Sequence, residues 1–171
     1  MGSIENDTYL KILVNQPLRS IGRAANMLWI GFGETLMVKD SKGHIVEKNS
    51  ISLHVQCAWR MVDIEKKTIL FASSDIYTPN SSTEWTSEFD WDIQGINLFD
   101  EKSKIWIDSN ARIYIKDFKF NMWGDLLLFL SNGNILDIYV NNSTDKECWR
   151  LFEYKSDKEH FVVNGMGVVF E

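Results

Sequence analysis

The stretch Leu53-His54-Val55-Gln56-Cys57-Ala58-Trp59-Arg60-Met61-Val62 alternates in hydropathy. Leu53, Val55, Cys57, Trp59 and Met61 line one apolar face, and His54, Gln56 and Arg60 mark a largely polar one. Period two is the pattern of a half-buried β-strand, because successive side chains leave a strand on opposite faces. The uncommon dipeptide inside it returns at Trp149-Arg150, about half a chain later, and each copy precedes an apolar pair, Met61-Val62 or Leu151-Phe152. A β unit built twice is the expectation, with related halves over about residues 8–77 and 111–170 joined by the acidic aromatic segment 78–104. Superposing the tryptophans sets Cys57 opposite Glu147 and Cys148 opposite Ala58. The two cysteines are therefore expected to share no site and to stay as free thiols, with Cys57 as inert packing on the apolar face.

The other elements read in the same style. Arg19 to Asn26 is too short and Gly-interrupted to bury a helical face and reads as strand, followed by Met27 to Gly33. Thr68 to Tyr77 is a return strand suited to burial on both sides. Trp123-Gly124-Asp125 is a turn, Leu126 to Leu130 a fully buried strand, and Asn132-Gly133 a hairpin turn, because both residues tolerate positive φ. Ile135 to Val140, Glu147 to Phe152, His160 to Asn164 and Gly167 to Phe170 complete the strands. Ser81-Ser82-Thr83-Glu84 has capping-box spacing, and Trp85, Phe89, Ile93 and Ile96 share a helical face, so one short helix is predicted between Ser82 and Ile93. Lys104-Ile105-Trp106-Ile107 reads as strand. The fold expected is mainly β and antiparallel, a sandwich or partly open barrel in a single domain, with at most that one helix.

Charge narrows the partners. Eighteen basic and 24 acidic residues leave a formal net charge of -6, a field that repels phosphate backbones, so no nucleic-acid partner is expected and a basic protein is the easier one. No segment has the roughly 20 apolar residues of a spanning helix. Met1 to Tyr9 is polar and carries no signal-peptide core. Gly2 opens a loose myristoylation pattern that fails at Asn6. A cytoplasmic protein without a membrane partner is the expectation, and no cofactor is implied.

Two constellations carry candidate binding chemistry. His54, Gln56 and Arg60 present donors and acceptors on one predicted strand face, and Arg150 is the counterpart of Arg60. With no nucleophile or second carboxylate beside them, they read as a polar sheet face or a binding surface, and catalytic residues are not assigned. Asp90-Trp91-Asp92-Ile93-Gln94-Gly95, followed by Glu101, nearly matches a calcium loop, with Gln94 and Asn97 as departures. The same segment suits protein contact, with Trp85 and Trp91 as anchors and Asp90 and Asp92 steering a basic partner.

Leu53 to Arg60, Gly124-Asp125-Leu126, Asn132-Gly133 and Cys148-Trp149-Arg150-Leu151-Phe152 resemble a family of small bacterial β proteins, some similar to immunity proteins of polymorphic toxin systems. That resemblance implies a non-enzymatic module that neutralises a toxin by covering it, and carries no catalytic residues. The alternative reading is a β protein that binds a small ligand or Ca²⁺.

Overall fold

A computed structural model describes residues 2–171, with side chains from residue 6 onward. Helix α1 (Gly2–Leu10) and a 3-10 turn (Lys11–Leu13) lead into β1 (Leu18–Ala24), β2 (Met27–Lys39), β3 (Ile45–Val55), β4 (Ala58–Asp63) and β5 (Thr68–Ala72). A 3-10 turn (Ser73–Tyr77) and a long irregular segment reach α2 (Leu98–Ser109). Then come β6 (Ile115–Phe120), β7 (Leu126–Leu130), β8 (Asn134–Tyr139), β9 (Glu147–Glu153), β10 (Phe161–Asn164) and β11 (Gly167–Phe170).

The strands form two antiparallel sheets, one in the order β1-β2-β3-β9-β10-β11 and the other β5-β4-β8-β7-β6. The sheets do not close into a barrel, and their inner faces share one core, so the mainly β, antiparallel sandwich is the observed architecture. Leu28, Ile30, Phe32, Leu53, Val55, Trp149, Leu151 and Phe161 come from the first sheet. Trp59, Met61, Phe71, Leu126, Leu128, Leu136 and Ile138 come from the second. Leu10 and Leu13 are fully buried members of the same core.

The strand predicted across Leu53 to Met61 is two strands. Its first part is the end of β3 in the six-stranded sheet, and its second is β4 in the five-stranded one. The break falls at Gln56 and Cys57, whose N–H groups both donate to the Cys148 carbonyl, at 2.7 and 3.1 Å. Alternation survives the crossing because the apolar face stays turned inward as the chain passes from one sheet to the other.

Strand order repeats between the two parts of the chain. β1-β2-β3 lies beside β9-β10, and β6-β7-β8 lies beside β4-β5. Register repeats too. In the six-stranded sheet one row across the strands runs Arg23, Leu28, Val55, Trp149, Val163. In the other sheet the matching row runs Phe120, Leu126, Ile138, Trp59. The next residue along pairs Arg150 with His54 in one sheet and Arg60 with Asp137 in the other.

Further expectations are corrected. No helix forms between Ser82 and Ile93, where local side chains hold turns instead: Thr86 Oγ1 accepts from Glu88 N–H and Asp90 Oδ1 from Asp92 N–H. The helix is α2, over the residues read as a strand. Asn97 caps it by accepting from Asp100 N–H at 2.9 Å, and Phe99, Ser103 and Trp106 give it a buried face. With α1, the described residues hold two α-helices where at most one was expected. The return strand ends at Ala72, and as an edge strand it buries only Phe71. Leu126 to Leu130 alternates buried with half-buried, so only one of its faces belongs to the core.

Candidate functional site

The acidic aromatic segment is held by a residue not singled out in the sequence. Arg23 sits on the inward face of β1 with its side chain fully buried. Its Nε and Nη2 donate to both Asp100 carboxylate oxygens, at 2.8 and 2.9 Å. The rest of the guanidinium reaches the carbonyls of Ala25, Asp92 and Ile93 and the Asp92 carboxylate. A bidentate pair with additional carbonyl acceptors is the arrangement that makes a buried charge tolerable. It pins the loop from Asp92 to Asp100 against the sheet edge.

On this base the predicted anchors part ways. Trp91 is half-buried, packed against the core and edge-on to Tyr77 at 5.1 Å. Trp85 is 71% exposed and stacks on Phe89 at 5.8 Å. Asp92 is committed to Arg23, whereas Glu84, Glu88 and Asp90 remain exposed. Residues 78–101 contain no Lys or Arg. The calcium-like spacing does not converge on one point. Asp92 and Asp100 face Arg23, and Glu101 accepts from the N–H and hydroxyl of Ser81, which hold its carboxyl below the usual carboxylate range. Among the described residues, no group of three or more His, Cys, Asp or Glu side chains is placed to hold a metal ion.

The second predicted constellation is divided and rebuilt. His54 and Arg150 meet as cross-strand neighbours on the outer face of the six-stranded sheet, and Gln56 stands at the corner where the chain changes sheets, its N–H donating to the Cys148 carbonyl. Arg60 lies instead on the five-stranded sheet, paired with Asp137 at 2.8 Å, and the single face proposed for His54, Gln56 and Arg60 does not exist. Arg150 forms an ion pair with Glu147, reaches Glu171 at 3.3 Å and meets His160 Nδ1 at 3.1 Å. Burial pulls the Glu147 carboxyl upward, but the Arg150 guanidinium outweighs it and leaves the group below its ordinary range. Burial holds His54 below the ordinary histidine value, with Glu147 opposing. Phe152 joins the two imidazoles, edge-on to His54 at 5.0 Å and stacked on His160 at 4.5 Å.

The cysteines are free thiols, as expected, but they are neighbours. Both are buried, and they meet where β3 gives way to β4, with the Cys57 N–H donating to the Cys148 carbonyl at 3.1 Å. Burial pushes the Cys57 thiol up to about 12, so it is protonated and unreactive at neutral pH. A superposition of dipeptides does not register a contact made between strands rather than along them.

The chain matches no protein-family profile, no curated protein and no solved structure. No helix among the described residues is long and apolar enough to cross a membrane.

Proposed function

We propose that this protein is a non-enzymatic binding module that engages a basic protein through the segment around Trp85, and that the partner is a toxin it neutralises by covering. The observation that carries the reading is the Trp85–Phe89 stack: a large aromatic surface held in water on a segment fastened by a buried arginine. Exposed aromatics on a rigid base cost little entropy to dock and are typical anchors of interfaces. Glu84, Glu88 and Asp90 around the stack, with no basic residue in the segment, favour a cationic partner and speed its encounter. Matching strand order and register support a second proposal, that the two halves descend from one duplicated unit.

The test is isothermal titration of the full chain against basic proteins encoded beside its gene. Binding by one of them is expected, weakened about 30-fold or more by Trp85→Ala, as for an interface hot spot. Glu88→Lys should slow association. If no neighbour product binds, or if Trp85→Ala binds as tightly as the parent chain, the reading fails.

A further inference from the structure

A groove of about 570 Å³ opens on the outer face of the six-stranded sheet, lined by residues of β1, β2 and β3 with Tyr154 at one side. Its shape comes from two glycines. Gly31 lies between Ser20 on β1 and Ser52 on β3. A Cβ on Gly31 would stand 2.0 Å from Asn49 Oδ1 and 2.6 Å from Ser20 Oγ, so the Asn49 amide can lie across the strand only because no side chain is there. One pleat further, a Cβ on Gly22 would stand 2.4 Å from the Trp29 ring, so the indole lies against the backbone of β1. Beside Trp29 on β3 is His54. The floor of the groove is thus a half-buried indole, two hydroxyls, an amide and an imidazole.

The Ser52 hydroxyl is among the groups left free for a ligand. Ser52 is 8% exposed, lines the groove, and its hydroxyl makes no hydrogen bond among the described residues. Ser20, by contrast, donates to Asn49 Oδ1 at 2.6 Å, leaving the Asn49 N–H donors for another acceptor.

We propose that this groove is a binding site for a neutral saccharide, distinct in its residues from the segment around Trp85. A sugar ring offers an apolar C–H face for the indole and several hydroxyls that both donate and accept, which matches Ser52, Asn49 and His54 in kind. Pockets of this volume with an apolar wall and a few convergent polar groups are ordinary ligand sites. A phosphate or carboxylate suits the floor less well. Arg19 is engaged with the Gly33 carbonyl at 3.0 Å, Lys48 stands at the rim beside Glu47, and burial disfavours a charged His54.

The experiment is saturation-transfer NMR on the full chain with methyl glucoside, methyl galactoside, methyl mannoside and N-acetylglucosamine, followed by an immobilised glycan array. Adenosine and inorganic phosphate serve as comparison probes. Binding of at least one sugar is expected, weakened about tenfold by Ser52→Val, the effect of one lost hydrogen bond to a buried group. Ser52→Val introduces a β-favouring residue of similar size, and an unchanged melting temperature establishes that it folds; Asn49→Ala is the second variant, expected to weaken binding in the same way. No signal from any sugar on either platform overturns the proposal. So does a sugar signal unmoved by both variants, or binding by adenosine or phosphate alone.

Discussion

The two Trp-Arg pairs occupy matching places in the two sheets and meet different fates. Trp59 and Trp149 are both buried, and each packs against a phenylalanine one strand away, Phe71 or Phe161. Trp149 Nε1 donates to the Gly124 carbonyl at 2.8 Å, whereas Trp59 Nε1 is buried without a partner among the described residues. The difference arises in the hairpins. β6 and β7 are joined by Asn121 to Asp125, where Gly124 adopts φ 90° and its carbonyl meets the indole. β1 and β2 are joined by the two residues Ala25 and Asn26, and no carbonyl reaches the Trp59 indole. The arginines diverge for a related reason. Arg60 faces Asp137 and pairs across the strands; Arg150 faces His54, which offers no negative charge, and turns along its own strand to Glu147. Register dictates which residues are buried; the identity of one cross-strand neighbour dictates the polar chemistry. The largest departure is at Phe120 and Arg23, matching positions that hold a core aromatic in one half and the buried guanidinium that fastens the acidic segment in the other.

That departure gives the largest predicted effect. Arg23→Met strands the Asp100 carboxylate and is expected to cost about 3–5 kcal/mol, as breaking a buried pair does. Urea unfolding measures it, and a loss below about 1 kcal/mol would mean that Arg23 is no more than the apolar filler Phe120 is. Next come the tryptophans. Trp149→Phe leaves the Gly124 carbonyl without its donor, so it should destabilise the fold by about 1–3 kcal/mol more than Trp59→Phe, which removes an unsatisfied N–H. Equal losses would erase the distinction. The arginines differ less. Arg60→Gln disturbs a pair whose arginine side chain is 55% exposed, so a shift of at most about 0.5 kcal/mol is expected. Arg150→Gln, with a 25% exposed arginine shared among Glu147, Glu171 and His160, should cost about 1 kcal/mol after solvent screening.

The smallest effect is a pH dependence. Burial lowers the folded-state pKa of His54 beneath its ordinary value, so the unfolded chain takes up the proton first as pH falls. The contribution of a neutral His54 is fully present above pH about 6.5 and is lost as pH falls through the folded-state value. Stability of the parent chain and of His54→Gln, compared between pH 7.5 and 5, should converge at the acid end. Parallel curves would show that His54 titrates alike in both states.

Strands were legible wherever one face is buried and a turn residue closes the run, as at Asn132-Gly133 and Gly124. The change of sheet at Gln56 was not, because periodicity records which side faces the core and is blind to which sheet carries it. Helix α2 was masked by Ile105-Trp106-Ile107, residues common in strands, although Asn97 and the acidic first turn, Asp100 and Glu101, were signals of a helix start. Among candidate site residues, the exposure of Trp85 and the pairing of His54 with Arg150 follow from chain paths that no local window contains. Arg23 was invisible for the same reason: its partner Asp100 is distant in sequence, and an arginine in a predicted strand reads as solvated. The Trp29–Ser52 groove needed coordinates, since glycines at 22 and 31 matter only once their neighbours are known.

The exchange of strands between the sheets has a consequence for how the chain assembles. Neither half owns a sheet: β4 and β5 complete the sheet begun by β6 to β8, and β9 to β11 complete the one begun by β1 to β3. Residues 2–77 made alone would hold strands with unpaired edges and one side of a core. The pairings that join the halves, β3 with β9 and β4 with β8, close long loops, and a chain dominated by such non-local pairing is expected to fold slowly for its size. Two fragments cut within residues 81–90 should therefore be individually unstructured yet recombine into one complementing pair, as interlocked hands do and stacked ones do not.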